Sequence, residues 1–256
     1  MQDPQTATSF FLAPVAVAYL TACGLWLVYD WRMRLSADEA PLAPSEHPYW
    51  DFLLTIVACA GIFLLGAAYR AGWLVGASET AAGRIGWLVD NAIIFSPIAA
   101  ALFIRRQGPQ TIFLSAKRLP EKILLGLALG VLAVSLYSGL RGELGEVPGY
   151  LRSALTVDNL VDFVPVFLEG VALAFAFVRL RWVVGTAAAI AIPALLFAAA
   201  HVPGELEAGQ GLPHIVVFFT FNTALSGAIL WTVGRSRDII WMGLVHYLMD
   251  IAIRAI

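Results

Sequence analysis

Eight apolar stretches divide this chain, and no connection between them exceeds about 20 residues. They run Ser9–Tyr29, Trp50–Tyr69, Gly86–Ile104, Ile123–Leu140, Leu160–Leu180, Val183–Ala200, His214–Val233 and Ile239–Ile253. Each is long enough, or nearly so, to cross roughly 30 Å of hydrocarbon as a helix. Inside a bilayer every backbone N–H and C=O must find a partner within the protein, which leaves helices or a closed barrel. The alternating segments of about ten residues that a barrel needs are absent. The sequence therefore predicts an all-α polytopic protein of about eight transmembrane helices, one integral-membrane domain over residues 1–256 with no soluble domain. Composition agrees: 60% of residues are hydrophobic, 13% are charged and the mean hydropathy is +0.80, outside the range of soluble domains. Met1–Thr8 carries no Lys or Arg, so the first stretch reads as a retained span rather than a leader.

The cations give an orientation. Loops after the odd-numbered spans hold 11 of the 16 Lys and Arg residues, and the remaining 5 lie in the other loops and the termini. The excess of positive charge on cytoplasmic loops then places both termini on the non-cytoplasmic side, most naturally of a bacterial inner membrane. The basic segment from Arg105 to Lys122 reads as a cytoplasmic surface beside anionic headgroups. A net charge of −2 gives no reason to expect a nucleic-acid partner. Cys23 and Cys59 sit inside apolar spans as small hydrophobes, with no CxxC spacing.

Most polar residues within the spans have a quiet reading. Asp90, Asn91 and Asp162 lie close enough to span ends to reach headgroups. Gly126 and Gly130 form a GxxxG pair, which marks close helix packing. Asn222 reads as an interhelical hydrogen bonder, and His47 and His214 as loop or edge residues. Four groups remain: Glu169 in the fifth span, His201 ending the sixth, and His246 with Asp250 in the eighth. Such groups are costly in hydrocarbon and turn toward a protein interior or a wet cavity.

Counting places two of them together. Residue 185, midway between 169 and 201, is a glycine. A hairpin turning there sets Glu169 and His201 at one depth, each roughly 24 Å from the turn on antiparallel helices. His246 and Asp250, at i and i+4, share a helix face, though His246 counts as shallower. A carboxylate facing an imidazole in a low-dielectric site activates water, as a base or beside a metal. A second imidazole and carboxyl hold a metal or steady an oxyanion. The other reading of the same four residues is a buried polar network that locks the bundle.

These residues resemble motifs of the CPBP (CAAX protease and bacteriocin-processing, or Abi) membrane proteins. That family carries EExxxR, then FxxxH at the end of the next helix, then HxxxN or HxxxD in the last core helix. "FAAAH", Phe197 to His201, is similar to the second motif, and "HYLMD", His246 to Asp250, to the third. The approach "LSGAILWTVGRSRDIIWMGLVH" and the upstream "IRRQGPQTIFLSAKRLPEKILLGLALGVL" also resemble the family, so the likeness covers roughly residues 100–256. It implies a core bundle of spans five to eight within residues 105–256, preceded by N-terminal helices over 1–104. It also implies an intramembrane endopeptidase acting on a membrane-bound or lipid-modified peptide. Glu169 and His201 would then activate water, while His246 and Asp250 serve the oxyanion. Alternatively His201, His246 and Asp250 hold a divalent metal such as zinc. The first motif departs from the pattern. The family's spacing puts Leu168 at the leading glutamate, Glu169 at the second and Leu173 at the arginine. A one-residue shift puts Glu169 first, with Gly170 beside it and Ala174 for the arginine. The competing expectation is accordingly a catalytically degenerate relative that serves as scaffold, chaperone or accessory subunit of a membrane protein complex. No internal repeat argues for a transporter.

Overall fold

The computed structural model of the protein describes residues 4–35, 45–75 and 81–255, and among these the secondary structure is helical throughout, with no strand. The long helices are α1 (Pro4–Met33), α2 (Pro48–Arg70), α3 (Ala81–Ile104), α4 (Leu119–Arg141), α6 (Val157–Glu207) and α7 (Leu212–Ser236). Two shorter ones are α5 (Val147–Ala154) and α8 (Ile240–Arg254). Proline enters the first turn of α2, α4, α5 and α7, where its missing N–H costs no intrahelical bond.

Six helices among the described residues are long and apolar enough to cross a membrane, fewer than the eight stretches of the sequence. Two physical reasons account for the difference. The fifth and sixth stretches belong to one 51-residue element, α6, interrupted at Gly185 (φ 79°, ψ 167°). That backbone conformation is open to glycine and strained for any residue with a side chain. The eighth stretch makes α8, whose 15 residues reach only about 22 Å. Hydropathy cannot tell such a helix from a lipid-exposed span, because α8 is wrapped by protein on nearly every side: Trp241, Val245, Met249 and Ala252 are fully buried. Elsewhere the outward faces carry Leu20, Val28, Val57, Leu64, Phe103 and Leu124, all exposed, as an integral membrane protein requires.

The core is built around α8. Helix α4 runs along it through Gly126 and Gly130. A Cβ on Gly126 would stand 2.8 Å from the Trp241 Cα, and one on Gly130 would stand 2.6 Å from a Leu248 methyl. This is the small-residue contact that the GxxxG spacing predicts. Gly126→Leu drives a side chain into backbone, so it should melt the purified protein well below wild type, whereas Leu124→Ala on the exposed face should leave the melting temperature nearly unchanged.

The N-terminal helices are not peripheral to this core. Helix α1 packs against α4 and α7. Its Trp26 stacks on Trp241 of α8 with ring centroids 5.0 Å apart. Helices α2 and α3 pair with each other and lean on α6. The last core helix is pinned at both ends. Asp238 accepts from the backbone N–H of Ile240 at 3.0 Å, and Tyr247 donates its hydroxyl to the Ala154 carbonyl at 2.5 Å.

Several charged residues near span ends pair inside the protein. Lys122 is 1% exposed and pairs with Asp238 at 2.6 Å, joining the start of α4 to the α7–α8 turn. Arg105 pairs with the buried Asp51 at 2.5 Å. Arg179 is also buried and donates to the Thr111 hydroxyl at 2.8 Å. The basic segment from Arg105 to Lys122 is therefore partly spent on internal ion pairs instead of headgroups. Cys23 and Cys59 are both free thiols.

Candidate functional site

The break at Gly185 folds α6 into a hairpin. Its first half brings Glu169, Ala172 and Leu173, and its second brings Pro193, Phe197 and His201, to the wall of one shared space. Glu169 and His201 thus border the same space from the two halves of the hairpin. His201 does not end its helix, however: the helix continues through Pro203 to Glu207.

A cavity of about 560 Å³ lies between this hairpin, α7 and α8. Glu169, His201, His246 and Asp250 all line it. A smaller and almost wholly apolar cavity of about 150 Å³ opens on the other side of the hairpin, toward Cys59, Ile62 and Phe95. Glu169, Leu173, Phe197 and His201 border both cavities and form the partition between them. Leu168 borders neither. Whichever register the first motif takes, the carboxylate side of the helix is the cavity side.

The imidazoles are fixed by different means. His201 Nδ1 donates to the Phe197 carbonyl one turn back, at 2.8 Å, so the neutral ring presents Nε2 as its acceptor. The Phe197 ring stands between the two histidines, with centroids 4.5 Å from His201 and 6.4 Å from His246. His246 Nε2 lies 3.5 Å from Asp250 Oδ1, and the Tyr19 ring meets the imidazole edge-on at 6.3 Å. Glu169 lines the same cavity as His246, Asp250 and Arg254. Among the described residues no hydrogen bond or ion pair ties its carboxylate down.

Arg254 extends the polar face of α8 by one more turn. It donates to Asp162 at 2.7 Å and to Asp250 at 3.4 Å, making a ladder from Asp162 through Arg254 and Asp250 to His246. Asp162 is thus a partner of the site, not a group directed at headgroups. The i, i+4, i+8 run of His246, Asp250 and Arg254 was the available signal for this ladder.

Other sequence readings change as well. Asp90 is fully buried and accepts from the Val75 N–H at 3.0 Å. Asn91 is buried and lines the main cavity. Asn222 bonds to the Phe218 carbonyl of its own helix, 2.9 Å away, and not across helices. His214 pairs with Glu205 at 2.8 Å over the α6–α7 turn. Tyr19 and Trp87 join the cavity from α1 and α3, and nothing in their local sequence marks them.

As for a metal, no group of three or more His, Cys, Asp or Glu among the described residues stands close enough to hold one. His201, His246 and Asp250 line the same cavity without forming a ligand cluster, so the donor set does not fit a divalent ion as placed. No protein family, curated protein or solved structure matches this chain. What the site can do rests on its own geometry: a carboxylate and an accepting imidazole share the wall of a cavity large enough for a few residues of peptide, and a second imidazole is held by a carboxylate in the same space.

Proposed function

We propose that this protein is an intramembrane endopeptidase of the CPBP type, hydrolysing a membrane-bound or lipid-modified peptide in the cavity between the α6 hairpin, α7 and α8. The observation that carries the reading is the convergence of Glu169, His201, His246 and Asp250 on one cavity inside a bundle of apolar helices. Groups so costly to place there need a use. In the proposed reaction a water sits between the Glu169 carboxylate and His201 Nε2. Glu169 takes a proton from it as the oxygen adds to the peptide carbonyl carbon. His246, whose Nε2 lies 3.5 Å from Asp250 Oδ1, supplies a ring N–H to the tetrahedral oxyanion. The intermediate collapses with breakage of the C–N bond, and the proton held by Glu169 passes to the leaving amine. No step is routed through a metal.

The test is the pair of substitutions Glu169→Gln and His201→Ala. Each should abolish processing in a folded protein, and the double variant should be little worse than either single one, because residues acting as a unit are not additive. Full activity in both variants would leave the scaffold reading in place.

The same reading takes the chain eight times across a bacterial inner membrane, counting α6 twice and including α8, with both termini outside. In intact cells, cysteine introduced at the exposed Gln210 should react with an impermeant maleimide, and cysteine at Arg106 should not. The reverse pattern inverts the orientation.

A further inference from the structure

A peptide drawn into a cavity among apolar helices brings its backbone N–H and C=O groups out of water. Each one left unpaired costs about as much as a lost hydrogen bond or more. The catalytic groups cannot serve them all, so other polar atoms of the wall bear on what the cavity accepts. Asn91 of α3 is 4% exposed and lines the main cavity. Its Nδ2 donates to the Trp87 carbonyl one turn back, at 2.9 Å. Asn222 of α7 repeats the arrangement with the Phe218 carbonyl at 2.9 Å and lines the same cavity. In both, the bonded amide nitrogen fixes the side chain and leaves the oxygen Oδ1 as an acceptor with no partner among the described residues.

The geometry points to Asn91 and Asn222 as backbone-binding residues for an extended peptide. Each accepts from a substrate N–H. This assigns the cavity a ligand with a row of amide donors, which an acyl or isoprenoid chain alone does not offer. It rests on the reading of the cavity as a peptide site, yet binding is separable from cleavage.

The experiment uses the full chain carrying Glu169→Gln in detergent micelles, with a fluorescent alternating alanine–leucine hexapeptide as probe. A second probe is the same peptide with its backbone amides replaced by esters, which keeps the shape and removes the N–H donors. The amide peptide should bind tighter than the ester, by roughly fivefold to tenfold for each hydrogen bond lost. Asn91→Leu and Asn222→Leu should each weaken the amide peptide by a similar factor and leave the ester unchanged. The comparison of the two probes needs no alteration of either asparagine, so it stands even where a leucine variant misfolds. Equal affinity for amide and ester, no saturable binding of either, or indifference of a folded leucine variant overturns the assignment. Amide-selective binding by the unsubstituted protein without cleavage keeps this inference and removes the hydrolytic reading. Cleavage without amide selectivity does the opposite.

Discussion

Glu169→Gln, which on the proposed hydrolytic reading removes the general base, is expected to lower processing by about 10²- to 10⁴-fold, with the melting temperature and yield of the protein preserved. The amide keeps the shape of the side chain and cannot take a proton. The neighbouring position gives the contrast. Leu168 borders neither cavity although the spacing of the CPBP proteins, which the chain's motifs resemble, puts it where a base is expected, so Leu168→Ala should change turnover little on the proposed reading. Moving the carboxylate by the double substitution Leu168→Glu, Glu169→Leu should not restore activity, since residue 168 points about 100° away around the helix. Turnover by that swapped protein at the wild-type rate would refute the assignment of the base. A purely structural protein would instead keep its partner's abundance in Glu169→Gln.

Breaking the Lys122–Asp238 pair should have the largest effect on stability. Both side chains are nearly excluded from solvent, so Lys122→Met strands a buried carboxylate, at a cost of roughly 3–5 kcal/mol. For a chain of this size that corresponds to a fall in melting temperature on the order of 10 °C. Burial already pushes the Asp238 carboxyl above its ordinary range, and Lys122 is the chief group holding it down. Without the lysine the folded-state value rises further above that of the unfolded chain. The sign follows: relative to wild type the deficit is absent at low pH, where Asp238 carries its proton in both folded proteins, and it grows as pH rises from the folded-state value of the wild type toward the higher one of the variant. Adding Asp238→Asn removes the stranded charge and keeps an oxygen for the N–H groups of Ile240 and Trp241, so the double variant should melt near wild type. A double variant as unstable as Lys122→Met would show that the pair matters for something other than its charge.

The features that sequence disclosed are those set by local chemistry or by counting along one element. Gly185 announces a hairpin because a single residue with positive φ turns the chain, and equal distances from it bring Glu169 to His201. The Gly126 and Gly130 spacing announces a close helix contact because nothing larger fits against α8. Depth along a span was a poor guide to surroundings. Asp90, Lys122 and Arg179 lie near the ends of apolar stretches and would face headgroups on an isolated helix, but neighbouring elements cover them. Tyr19, Trp87 and Asn91 were invisible as site residues because the first and third helices carry no motif; only tertiary packing delivers them to the cavity. Arg254 lies one turn beyond the His246–Asp250 pair and counts, by position alone, as one of the terminal cations.

The contacts of Tyr19 with His246 and of Trp26 with Trp241 join helices from opposite ends of the chain, and this fixes an order of assembly. During synthesis α1 is made long before α8, and in the folded protein α4 and α7 also cover its inward face. Contacts so distant in sequence close late in folding. The wall that carries His246 and Asp250 is therefore the last part of the cavity to arrive. A nascent chain stalled short of residue 240 has the Glu169–His201 hairpin but no enclosed site. A chain trimmed at the N-terminus to residues 105–256 loses Tyr19 from the cavity and the Trp26 stack from the back of α8. Biogenesis itself acts as a safeguard here: the polar groups gather into one chamber only when the final helix is seated.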